Sequence, residues 1–200
     1  MKKYVAALGV TLTLAAPQAA QAQVVTAPPV PATLEVEDGN EPFLIGRGVG
    51  TQNYECQPVD SVGRVNWVLF TPQATLFDDR NEQLTTHFFS PNPRENGLVR
   101  ASWQDSRDTS SVWGAVLESS TDVNFVKADA IAWLLLDVIN TGAQAGPTGG
   151  ERLSKTTFIQ RVNTEGGLAP STGCARPTDV GKRRFVPYQA DYVFFRSSAR

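Results

Sequence analysis

Short apolar or β-branched runs follow one another through most of this chain, each cut off by Gly, Pro, Asn or Asp, and no stretch holds an apolar period of 3.6 residues long enough for an amphipathic helix. Tyr54 and Cys56 share one face of a short strand just after Gly48 and Gly50. Val65 to Thr71 and Ala74 to Phe77 read as two runs separated by Pro72. His87-Phe88-Phe89 precedes a turn-rich stretch, Ser90 to Gly97; Leu98 to Trp103 alternates apolar and polar residues, and Val112 to Leu117 does so less cleanly. Ile131 to Ile139 is apolar on both faces, the pattern of a strand covered on each side. Thr156 to Val162 and Tyr188 to Phe195 complete the set, with loop-like compositions over 142–150 and 166–177. The sum, about eight to ten short strands, predicts a mostly β single domain, a β-sandwich or jelly-roll-like barrel with long Gly/Pro-rich loops. A membrane barrel fits poorly, because two of the strands lack the alternation that a lipid-facing band requires.

The first residues carry a different signal. Lys2 and Lys3 precede an apolar run from Tyr4 to Ala16, Pro17 breaks it, and Ala20-Gln21-Ala22 supplies small residues for cleavage. This is the layout of a secretory signal peptide over 1–22, and the run is too short for a permanent span. The expected localisation is secreted, periplasmic or cell-envelope. Residues 23–33, with Pro28, Pro29 and Pro31, are expected to form an extended, poorly ordered leader outside the core of a β domain over 34–200. An oxidising destination makes Cys56 and Cys174, the two cysteines, a disulfide pair. No later stretch suits a transmembrane segment. A net charge of −2, more negative once Lys2 and Lys3 are removed, excludes a nucleic-acid partner of the non-specific kind. Lys182-Arg183-Arg184 reads as a solvated turn.

Candidate chemistry is sparse. His87 is the lone histidine, and a catalytic reading makes it a general base oriented by Asp105 or Asp108, with Ser90, Ser102 or Ser110 as nucleophile. No Gly-x-Ser-x-Gly elbow supports that reading. One His and two oxidised Cys do not make a zinc or copper site, and Asp78-Asp79 lacks both calcium-loop spacing and the facing carboxyls of a glycosidase. No metal and no cofactor is expected. Trp67, Trp103, Trp113 and Trp133 lie in apolar runs that favour core positions over a sugar platform. Arg161, in an apolar strand, is expected to pair with a carboxylate or to bond loop carbonyls.

Several blocks together resemble a family of exported bacterial and fungal proteins, domain-of-unknown-function family 3455. They are Gly50-Thr51-Gln52-Asn53-Tyr54-Glu55-Cys56, Trp67 with Pro72, His87-Phe88, Trp103 with Asp108 and Ser110, and Ile131 to Leu135. Ile159-Gln160-Arg161-Val162-Asn163-Thr164-Glu165-Gly166-Gly167, Gly173-Cys174 and Val186 to Phe194 follow. The chain departs from the pattern at Asp108-Thr109-Ser110, where the resemblance implies Asp-Gly-Ser in many relatives. The resemblance implies export and a shared fold and brings no activity. The reading that follows is a non-catalytic protein of the envelope or exterior, structural or binding a small molecule or polysaccharide, with His87, Trp103 and Arg161 as candidate ligand contacts. The alternative is a hydrolase built on His87.

Overall fold

The computed structural model describes residues 25–147 and 149–198; the expected signal peptide lies outside them. The described residues form β1 (Asn40–Pro58), β2 (Val65–Phe77), β3 (Gln83–Asn92), β4 (Leu98–Asp105), β5 (Ser111–Ser120), β6 (Trp133–Asp137), β7 (Ala143–Gln144), β8 (Thr156–Gly166) and β9 (Arg183–Ser197). Every pairing is antiparallel, and strands adjacent in the chain are adjacent in space from β1 to β6, then β6 to β8 and β8 to β9. β9 returns to β1 over a register running from Asn40↔Ser197 to Glu55↔Arg183. The eight main strands therefore close into an up-and-down barrel with no free edge, and β7 is a short ladder on β5.

Closure depends on β1. Gly46, Gly48 and Gly50 fall on its inward face at period two. A Cβ on Gly48 would lie 2.8 Å from the Tyr192 ring, and one on Gly50 would lie 2.0 Å from the Gln73 carbonyl oxygen. The bare backbone of β1 thus makes room for large side chains arriving from β9 and lets β2 approach closely. The interior is filled by Leu44, Leu76, Leu84, Trp103, Tyr192 and Phe194, among others.

The barrel corrects the expectation of a sandwich or jelly roll. β6, β8 and β9 are apolar on both faces. Their outward residues, Trp133, Leu135, Phe158, Val162, Val193 and Phe195, are covered by chain segments instead of a second sheet. Leu34 and Val126 are buried there, and Ala27, Val30 and Val36 pack against the cluster. The segment expected to stay outside the core is therefore a strap across the barrel wall. The Gln160 amide donates to the Leu34 carbonyl at 2.7 Å and fixes it there.

Pro72 does not divide two strands, as the sequence suggested, but lies within β2. The β2–β3 ladder begins at Ala74↔His87, so the proline removes no donor from it, and the Phe89 amide donates to Thr71 Oγ1 at 3.0 Å instead. Lys182-Arg183-Arg184 leads into β9 rather than forming a free turn. Arg183 pairs with Glu55 at 2.7 Å, Lys182 pairs with Asp179 at 2.6 Å, and Arg184 lies over the Trp67 ring.

Cys56 and Cys174 form a disulfide with Cα atoms 5.5 Å apart and stand 118 positions apart in sequence. It ties the end of β1 to the β8–β9 loop, beside Tyr54 and Trp67, and Trp67 Nε1 donates to the Thr172 carbonyl at 2.9 Å. Closing so long a loop stabilises the fold by about 4–5 kcal/mol in chain-entropy terms. Among the described residues no helix is long and apolar enough to cross a membrane. The outer face of the barrel carries exposed Arg47, Gln73 and Gln104 mid-strand, where a lipid-facing band would be apolar.

Candidate functional site

The two ends of the barrel differ. At the end holding Leu44, Leu84, Val138, Leu153 and Phe194 the side chains fill the interior. Toward the other end the inward positions are smaller or farther apart, and a cavity of about 430 Å³ opens above Trp103 and Tyr192. This is the size range of small-molecule sites, and eight strands give a barrel just wide enough for one such ligand.

The floor is aromatic and polar. His87 stacks on Trp103 with ring centroids 4.2 Å apart and planes 10° from parallel, and Tyr192 lies 5.1 Å from His87 and 5.5 Å from Trp103. His87 and Trp103 are paired across β3 and β4, which brings their rings onto one face. His87 Nδ1 donates to the Ser102 carbonyl at 2.9 Å, so Nε2 carries a lone pair. Burial holds the His87 pKa down to about 3; the Ser102 bond opposes this and the Arg161 charge adds to it. The imidazole is neutral across the physiological range. The Tyr188 and Tyr192 hydroxyls bond to each other at 3.0 Å, and burial pushes both phenols above their ordinary range.

Arg161 points inward from β8 beside Ile159, and its Nη2 and Nε both donate to the Ala132 carbonyl, at 2.8 and 3.2 Å. Gln52, the inward residue of β1 after the three glycines, also lines the cavity; it is 2% exposed and its Nε2 has no hydrogen-bond partner among the described residues. The walls are Leu69, Phe89, Ala101 and Leu134, and the lip carries Val99 and Val116, more than half exposed.

The family model for proteins of unknown function, DUF3455, matches residues 38–196. The chain belongs to this family. No curated protein and no solved structure matches it. The DUF3455 match covers the barrel except for its last residue, and Gln52, His87, Trp103, Arg161 and Tyr192 all fall in the blocks that carried the resemblance in sequence.

His87, Trp103 and Arg161, singled out from sequence, line this one cavity. Asp105 and Asp108 do not join them. The Asp105 Oδ1 accepts from the Arg107 and Asp108 amides at 2.8 and 3.1 Å, and Oδ2 faces Arg152 Nε at 3.5 Å. Asp108 accepts from Ser110 Oγ at 2.6 Å and from the Arg152 amide at 2.8 Å. Both carboxylates build the β4–β5 turn and clamp the loop before β8. The candidate serines are equally occupied: Ser90 Oγ and Ser102 Oγ bond to each other at 2.7 Å, and Trp113 Nε1 donates to Ser90 Oγ at 2.9 Å. No His–carboxylate–Ser arrangement is assembled among them. Asp78 organises the β2–β3 turn, its Oδ1 accepting from the Arg80 and Glu82 amides at 2.9 Å. All four tryptophans are buried, so none offers a stacking surface on an outer face.

Gln52 and Tyr192 were missed as site residues. The signal for both was strand alternation. Gln52 continues the inward series of Gly46, Gly48 and Gly50, and Tyr192 shares a face with Tyr188 four residues earlier.

Proposed function

We propose that this protein is exported and holds one small molecule, without chemistry, in the open end of its barrel. The observation that carries the reading is the cavity itself, about 430 Å³ with an apolar lip and wall and a floor where polar groups converge. A barrel filled from end to end would need no such space. The amino-terminal leader and the disulfide support an oxidising destination outside the cytoplasm. A small molecule fits the enclosure better than a polysaccharide, because the buried tryptophans leave no stacking strip along the outside. The hydrolase reading loses support with His87 lacking a carboxylate neighbour and a nucleophile.

N-phenyl-1-naphthylamine, a neutral apolar fluorophore, tests the reading. Its emission should rise on adding the mature, disulfide-bonded chain, with one-to-one stoichiometry. Ala101→Trp, which fills the cup from the wall, should abolish the rise while leaving the melting temperature within a few degrees. No enhancement, or enhancement indifferent to Ala101→Trp, counts against the proposal.

A further inference from the structure

The cavity is electrically one-sided. Among the described residues no Asp or Glu lines it, although the chain as a whole has a net charge of −2. Two cations do line it. Arg100 is fully engaged at the rim, its Nε and Nη2 donating to Glu95 at 2.9 and 2.5 Å. Arg161 is not: its polar partners, the Ala132 carbonyl and the Tyr192 hydroxyl, are neutral, and among the described residues no carboxylate lies within ion-pair reach. His87 offers no compensating charge. A half-buried guanidinium without a counter-ion is costly, and the cost is recovered when an anion enters.

Gln52 supplies the second, independent observation. Its buried amide nitrogen is a donor without an acceptor, on the strand that lines the same cavity. A guanidinium with nitrogens still to satisfy and an unpartnered amide donor together ask for an acceptor group bearing charge. One uncompensated cation matches one negative charge. A phosphate dianion would bring a second charge that nothing in the lining neutralises. The remainder of the cup, with Leu69, Phe89, Leu134 and the Val99–Val116 lip, asks for hydrocarbon.

We infer that the ligand is an apolar monocarboxylate, its carboxylate held by Arg161 and Gln52 and its hydrocarbon body running out along the apolar wall to the lip. This rests on the cup reading above and adds the chemical class of the occupant.

The test is displacement of bound N-phenyl-1-naphthylamine by three decyl compounds: decanoate, decanol and decyltrimethylammonium, at pH 8. Decanoate should displace the probe about tenfold or more better than decanol, as expected for a charge-assisted bond in a partly desolvated site. Arg161→Gln should bring decanoate down to the decanol value and leave decanol unchanged. Val116→Asp, an exposed change at the lip that does not touch the packed interior, should weaken decanoate selectively and keeps the test open if Arg161→Gln does not fold. Equal displacement by decanoate and decanol, preference for the ammonium compound, or displacement by none of the three would overturn the carboxylate assignment while leaving the cup in place. Failure of the probe itself to bind would strike the cup reading first.

Discussion

Two single residues carry consequences that can be measured. His87 is neutral when folded, with a pKa of about 3, and its ordinary value is 6.5. Between those two values the unfolded chain binds a proton that the native barrel refuses, so stability falls as pH drops through that window. The loss should amount to roughly 2–3 kcal/mol between pH 7 and 4.5. Comparing urea unfolding of the parent and of His87→Phe, which keeps a ring against Trp103, isolates this contribution from that of the carboxylates. The two stability curves should converge as the pH falls; parallel curves would mean that His87 is not held neutral. Thr109 is the second residue. It sits at φ 61° in the β4–β5 turn, a region costly for a β-branched side chain, and its hydroxyl is buried without a partner. A positive φ here is a conformation that glycine adopts without strain. Thr109→Gly should raise stability by about 1 kcal/mol, strain relief of about 1–2 kcal/mol exceeding the entropic cost of glycine, and shift the melting temperature up by about 2–4 °C.

At the scale of elements, the central device is a strand whose inward face is largely bare. Gly48→Ala places a methyl group against a Tyr192 ring already confined by His87 and Trp103, so it should cost about 1–3 kcal/mol, whereas Val49→Ala on the exposed face should stay within about 0.5 kcal/mol. Equal effects at the two positions would mean that β1 is not oriented as described. Strand existence was legible in the sequence because alternation and turn residues are local signals. Tyr54, Tyr188 and Tyr192 each bury a ring and anchor a hydroxyl, Tyr54 on the Gly167 carbonyl and the other two on each other. The closure of β9 onto β1 was not legible, because it joins the two ends of the domain and no local pattern encodes it. Strands apolar on both faces, such as Ile131 to Ile139, demand a cover. Nothing in their own residues distinguishes a second sheet from the strap of residues 25–36. The Pro-rich strap itself read as a linker, since proline content reports backbone stiffness and says little about what Ala27, Val30 and Leu34 will touch.

For the molecule as a whole, a closed barrel with a filled end and an open end separates the packed interior from the proposed binding cup. The filled end and the strap hold much of the fold, which leaves the open end able to carry groups that a stability-only design would avoid: an Arg without a counter-ion and an amide without an acceptor. His87, Trp103 and Arg161 were recognisable as candidates from residue type alone, yet their convergence came from three different strands. Asp105 and Asp108, equally eligible by type, went to a turn at the end of β4, for the same reason: residue type does not say which end of a barrel a side chain will reach. The two-dimensional ¹H–¹⁵N spectrum of the mature protein titrated with decanoate tests the account most directly, since each of the four tryptophans contributes one indole signal. The Trp103 indole and the Gln52 side-chain amide should move in step and saturate at one equivalent, with the Trp113 and Trp133 indoles unmoved; shifts confined to those two tryptophans, or none at Trp103 and Gln52, would contradict a ligand held inside the barrel.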